Sequence, residues 1–299
     1  MNTVDHLYLS PHLDDVVFSC GGLIHRQCAE GARVLVVTAF TASPAPGQLS
    51  NFDKTRPPAD WQACARAEDK AALEALGADF MHLGYHIAMH RQDDTGRERY
   101  PGVDKYGPLC PADADLGIAL RTKFEHLRSA HPTATLYIPL SIGGHVDHVQ
   151  VNQAARHLAG PLRFYEDFPY VFFGRVGPPA FALLRQMARM RLWRPFDKPD
   201  ANAHPFAWPL IFRAFRTTPT LVGGPKHAHR QHTGFDWQAE CHPIDLTAKI
   251  RATAHYNTQI DLLFGDKETS AHALTLYAHA VSRQQGTDTP CERLWFADR

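Results

Sequence analysis

HLYLSPHLDDVVFSCGGLIHRQCAEGARVLVVTAF, residues 6–40, is the stretch from which the fold class can be read. Its first five residues, HLYLS, form a short apolar run closed by Pro11 and read as a buried strand. Val16, Val17, Cys20, Leu23, Ile24 and Cys28 then recur at helical spacing, with Gly31 placed for a left-handed helix stop. Residues 33–40 (RVLVVTAF) are continuous and β-branched, as a strand covered on both faces must be. A strand, a helix and a second fully buried strand make a βαβ unit, whose strands run parallel through a right-handed crossover.

The alternation continues outward. The spacing predicts a helix over 61–76 stopped by Gly77, a strand over 79–83, a helix over 115–130, a strand over 135–140, a helix over 147–159 and a strand over 162–166. These elements define a doubly wound, Rossmann-like parallel sheet of order 3-2-1-4-5, occupying residues 1–167 as the catalytic core. Residues 168–299 read as an extension of loops and helices that packs on the core and completes its pocket. Its helices are expected over 180–192, over 245–264 with Asp245 as N-cap and Gly265 as stop, and over 270–284.

Composition narrows the function. Lysine plus arginine equals aspartate plus glutamate at 31 each, so no concentrated positive field favours a nucleic-acid or anionic-membrane partner. Asp5 and His6 interrupt any leader-like start, and no apolar run approaches spanning length, so a cytoplasmic protein without a membrane span is expected. Six scattered cysteines without a Cys-x-x-Cys pair fit that compartment as reduced, buried residues. A small-molecule substrate is the expected partner, with room for a homo-oligomer.

Two clusters carry chemistry. Ser10-Pro11-His12-Leu13-Asp14-Asp15 follows strand one, and Gly143-Gly144-His145-Val146-Asp147-His148 follows strand four. In the order 3-2-1-4-5 those strands are neighbours and the winding reverses between them, which is where such sheets bind ligands. Either cluster alone could be an ordinary helix start, with an aspartate accepting from free backbone amides. Together they supply the two histidines and one carboxylate that a catalytic zinc takes while leaving a position open for water. A spare carboxylate could serve as base, and a spare histidine could serve the transition state. The residues alone leave open which member of each pair would bind the metal.

The chain resembles the PIG-L/LmbE-like family of zinc-dependent N-acetylglucosaminyl deacetylases, whose motifs are His-Pro-Asp-Asp-Glu and His-x-Asp-His or His-x-x-His. The likeness extends to residues 66–77 (RAEDKAALEALG), 165–170 (YEDFPY) and 249–266 (KIRATAHYNTQIDLLFGD), and so covers nearly the whole chain. Leu13 stands for the family's proline and Val16 for its glutamate, a spelling similar to one branch with a Ser-Pro-His-Leu-Asp-Asp motif. The resemblance implies His12, Asp15 and His148 as ligands of one Zn2+, or another divalent metal. It implies Asp14 as the general base. It implies His145 as the cationic partner of the oxyanion and proton donor to the leaving amine, oriented by Asp147. The implied reaction is hydrolysis of an N-acyl group, N-acetyl in the family, from an amino sugar or related amine. The alternatives are a zinc amidase acting on a non-sugar amide or thiol conjugate, and a non-catalytic binding protein, which would have no need of Asp14.

The segments after strands two, three and five leave the sheet at the rim of the site and are expected to choose the substrate. Arg66, Glu166 and Asp167, by family likeness, and Arg91 and Asp94, in a polar segment that also holds His86, His90 and Tyr106, are the expected substrate contacts. His227, His229 and His232 lack an acidic or cysteine partner at ligand spacing and read as a solvated loop.

Overall fold

The structure is a computed structural model that describes residues 3–44, 49–50, 53, 60–172, 224–225 and 236–297. The expected helix at 180–192 and the histidines at 227, 229 and 232 lie outside the described residues.

As far as the fifth strand, the strands and α-helices run β1 (His6–Ser10), α1 (Asp15–Ala29), β2 (Val34–Thr38), α2 (Trp61–Leu76), β3 (Asp79–His82), α3 (Ala114–Ala130), β4 (Thr135–Pro139), α4 (Val146–Ala155) and β5 (Leu162–Tyr165). All five β2 residues are buried, as the apolar run requires. β1 lies parallel between β2 and β4, with Leu7 opposite Leu35 on one side and Leu136 on the other. The helix stops fall where glycine permits a positive φ: Gly31 at 90° after α1 and Gly77 at 82° after α2. α4 is shorter than expected, ending before Gly160, whose φ is 92°.

The C-terminal part differs from the expected loops and helices. Two strands, β6 (Trp237–Pro243) and β7 (Cys291–Ala297), extend the same sheet to the order β3-β2-β1-β4-β5-β7-β6, with β7 antiparallel to β5 and to β6. An apolar pattern could not announce β7, because two of its buried residues are charged. Glu292 accepts from the Gly22 and Leu23 amides and pairs with Lys249 at 2.7 Å, while Arg293 pairs with Glu166 at 2.8 Å. β6 is a half-exposed edge strand and carries little apolar signal.

The single helix expected over 245–264 is two, α5 (Leu246–Thr253) and α6 (Asn257–Leu263), followed by α7 (Lys267–Gln284). Asp245 caps α5 as expected, accepting from the Ala248 amide at 2.8 Å. The break is fixed from outside. The Tyr256 hydroxyl donates to Asp69 at 2.7 Å, and the Thr258 hydroxyl donates to Glu68 at 2.6 Å. These bonds to α2 override the continuity that the helical spacing alone supports, and they hold α6 beside the cleft described next.

Candidate metal centre and active site

The loops leaving β1 and β4 meet at the carboxyl edge of the sheet. The β4 loop turns sharply through Ser141, Gly143 and Gly144, all at positive φ. A Cβ on Gly143 would come within 2.6 Å of the Tyr170 ring, so the loop requires glycine there.

His12, Asp15 and His148 converge. Asp15 Oδ2 lies 3.1 Å from His12 Nδ1 and 3.2 Å from His148 Nε2. The far nitrogen of each imidazole meets a carboxylate: His12 Nε2 lies 2.9 Å from Asp147, and His148 Nδ1 lies 2.6 Å from Asp167. Carboxylates placed in this way fix the tautomer and ring orientation of metal-binding histidines. The donor set fits a divalent cation, because His148 Nε2 is buried without a hydrogen-bond partner and the three ligand atoms lie within 4.8 Å of one another. A second triad within the same distance, His12, His145 and Asp147, shares one histidine with the first.

The two triads differ in availability. The Asp147 carboxylate also accepts from the Ala88 amide at 2.9 Å and pairs with Arg91 at 2.7 Å. His145 Nδ1 accepts from the Asp147 amide at 3.2 Å, making His145 the N-cap of α4. Asp14, by contrast, makes no side-chain cap to α1, so the bland reading of that aspartate as a helix cap does not hold.

The electrostatics favour positive charge between the carboxylates. Burial works against a charged His12, yet Asp15 and Asp147 raise its pKa to about 9. Burial acts likewise on His148, which Asp15 and Asp167 nevertheless lift well above the ordinary value. Asp15, despite burial, is held well below the usual carboxylate range by His148 and His12. Asp14 moves up instead, through burial and then the Asp15 charge.

His145 departs from the sequence expectation. Asp147 Oδ2 is 3.9 Å from its Nδ1 and engages His12 and Arg91 instead. Burial depresses the His145 pKa well below the ordinary value, against the opposing pull of the Asp147 charge.

The five expected substrate contacts lie elsewhere, and none lines the cleft. Arg66 donates to Thr41 O and Ser43 Oγ. Arg91 is a buried bridge between Asp147 and Asp113, and Asp94 is exposed on the surface. Glu166 is enclosed by Tyr277, Arg293 and Trp295, and Asp167 accepts from the Ile142 amide besides holding His148. Family likeness pointed to Arg66, Glu166 and Asp167 and polar residue type to Arg91 and Asp94, and partners within the protein engage all of them but Asp94. Of the polar segment after β3, Tyr106 does reach the cleft, where its ring stands edge-on to His145 at 5.4 Å. Trp61, Gln259, Leu262 and Leu263 also face the cleft, from α2 and α6; the last three fall within the stretch of family likeness, but nothing in the sequence singled them out as cleft residues.

A doubly wound sheet with a buried His–Asp–His cluster at its switch point defines an α/β protein built to hold a divalent cation in an open cleft. The chain belongs to the PIG-L family, described as GlcNAc-PI de-N-acetylase, whose model matches residues 7–159. It is 32% identical over 173 residues to the 2'-N-acetylparomamine deacetylase of Streptomyces fradiae, covering 55% of this chain and 57% of that one. It is 30% identical over 205 residues to the 1D-myo-inositol 2-acetamido-2-deoxy-alpha-D-glucopyranoside deacetylase of Thermomonospora curvata, covering 64% and 66%. The match thus spans less than two thirds of either relative. The fold is also that of a teicoplanin deacetylase solved in a zinc-inhibited form, with a TM-score of 0.70 at 21% identity over 98% of both chains. Among the described residues, no helix is long and apolar enough to cross a membrane, and all six cysteines are free.

Proposed function

We propose that the chain is a zinc-dependent hydrolase that removes an N-acyl group, acetyl in its named relatives, from an amino sugar or related amine. The observation that carries this is Asp15 Oδ2 set between His12 Nδ1 and His148 Nε2, with the outer nitrogen of each ring gripped by a second carboxylate. His12, Asp15 and His148 would hold the ion, because Asp147 in the competing triad is already engaged by Arg91 and the Ala88 amide. A zinc ion there would act as a Lewis acid, lowering the pKa of a water and polarising the acyl oxygen.

The protein's own groups supply the proton movements. Asp14 faces the cleft without a capping duty and takes the proton of the attacking water. His145 has Nδ1 occupied as an acceptor, so its neutral ring carries the proton on Nε2, positioned to serve the oxyanion or the departing amine. Asp147 and Asp167 orient His12 and His148. The test is metal analysis of purified variants. His148→Ala should lose the ion and Asp14→Asn should keep it; full occupancy in His148→Ala would remove that residue from the site.

A further inference from the structure

The cleft beyond the reaction centre is walled by apolar side chains from separate elements: Phe40 after β2, Trp61 on α2, Ile87 and Met89 after β3, and Leu262 and Leu263 on α6. Phe40, Trp61 and Ile87 are buried in the protein. Met89, Leu262 and Leu263 are only half-buried, so apolar surface is left facing the concavity. The placement of the two leucines is built in, because the break before α6 is held by Tyr256 on Asp69 and Thr258 on Glu68. Apolar walls around a few convergent polar groups are how proteins bind ligands that carry hydrocarbon. Three of the expected substrate contacts are engaged elsewhere, Arg91 by Asp113 and Asp147, Glu166 by Arg293, and Arg66 by Thr41, while Tyr106, of the polar segment after β3, does reach this cleft.

We infer that the substrate carries an apolar alkyl or aryl group of several carbons next to the scissile amide, seated on Met89, Leu262 and Leu263. This rests on the hydrolytic reading above and specifies the compound class that the site prefers. The hydrocarbon belongs either to an acyl chain longer than acetyl or to an aglycone on the amine side.

The experiment uses the full-length, zinc-loaded protein and three compounds: N-acetylglucosamine, N-hexanoylglucosamine and hexyl N-acetylglucosaminide. Each buried methylene is worth about fourfold in affinity, so at least one extended compound should exceed N-acetylglucosamine by roughly 10- to 100-fold in kcat/KM. The hexanoyl arm leads if the group is on the acyl side, and the hexyl arm leads if it is on the amine side. Met89→Gln combined with Leu262→Gln should cut the favoured extended substrate about tenfold more than the plain sugar, as expected for methylenes that lose an apolar wall. Equal or better turnover of N-acetylglucosamine would overturn the inference and leave the hydrolytic reading standing. If none of the three is hydrolysed, the hydrolytic reading fails. Equilibrium binding to Asp14→Asn then decides the inference, tenfold tighter binding of an extended compound supporting it and equal binding overturning it.

Discussion

Replacing Arg91 with methionine tests how far the site's support reaches into the protein. The guanidinium is buried between two carboxylates, with Nε 3.0 Å from Asp113 and an outer nitrogen 2.7 Å from Asp147. It lies 5.3 Å from the Phe40 ring centroid and 5.1 Å from that of Tyr100. The other Asp147 oxygen receives His12 Nε2 and the Ala88 amide, both at 2.9 Å, so Arg91 positions the carboxylate that positions His12. Removing one partner of a buried ion pair costs about 3–5 kcal/mol. Asp113 keeps Arg99 at 2.6 Å and the Tyr100 hydroxyl at 2.8 Å, and Asp147 keeps His12, so the low end applies. That corresponds to a fall of roughly 5–10 °C in Tm. Loss of a group that orients a metal-binding histidine typically costs about 10- to 100-fold in affinity, and Arg91, one contact further out, should reach about tenfold. Chelator competition against zinc reads the second effect and thermal unfolding the first. Arg91→Lys keeps the charge but not the two-sided geometry and should fall between wild type and Arg91→Met. Wild-type zinc affinity in a destabilised Arg91→Met protein would refute the link to His12 and leave Arg91 a purely structural bridge.

Asp14→Asn should retain zinc and lose about 10²- to 10⁴-fold in kcat, as removal of a general base does; loss of the metal together with activity would make Asp14 a ligand. Asp167→Asn should weaken zinc binding by about 10- to 100-fold in chelator competition, because His148 Nδ1 loses its carboxylate. Unchanged affinity there would confine Asp167 to holding the Ile142 amide. Asp53 supplies a pH test: burial would raise its carboxyl, but hydrogen bonds from His90, Ser50 and Trp61 lower its pKa to about 2. A depressed carboxylate contributes stability that is fully present above its unfolded value near 4 and is lost as pH falls through about 2. The stability gap between wild type and Asp53→Asn should therefore be on the order of 1 kcal/mol near pH 6, allowing for solvent screening, and close between about pH 4 and 2. A gap that does not change with pH would contradict that origin.

The sheet from β1 to β5 was legible because β1, β2 and β4 are buried apolar runs and glycines stop α1 and α2. The switch point followed from that order, and it places His12, Asp14, Asp15, His145, Asp147 and His148 in one crevice before any side-chain geometry is known. Strand β7 was hidden because Glu292 and Arg293 point inward and are neutralised by Lys249 and Glu166, residues distant in the sequence. The break between α5 and α6 was hidden for the same kind of reason, since Asp69 and Glu68 impose it from another helix. The partners that engage Arg91, Glu166 and Arg66 were likewise not legible. Neither family likeness nor a polar segment shows which partners a side chain meets, and theirs come from other parts of the chain: Asp113 and Asp147, Tyr277 and Arg293, and Thr41. Asp147 was singled out as an orienting carboxylate, but it orients His12 rather than its neighbour His145, a distinction that only the packing of Ala88 and Arg91 makes.

The most direct test of metal-dependent N-deacylation at this site is the release of acid and free amine from an N-acylated amino sugar by the purified protein, before and after chelation. The account predicts acid and amine in equal amounts, activity abolished by chelator and restored by zinc, and no restoration in His148→Ala. Hydrolysis that persists undiminished in the metal-free protein, or that zinc restores equally in His148→Ala, would contradict it.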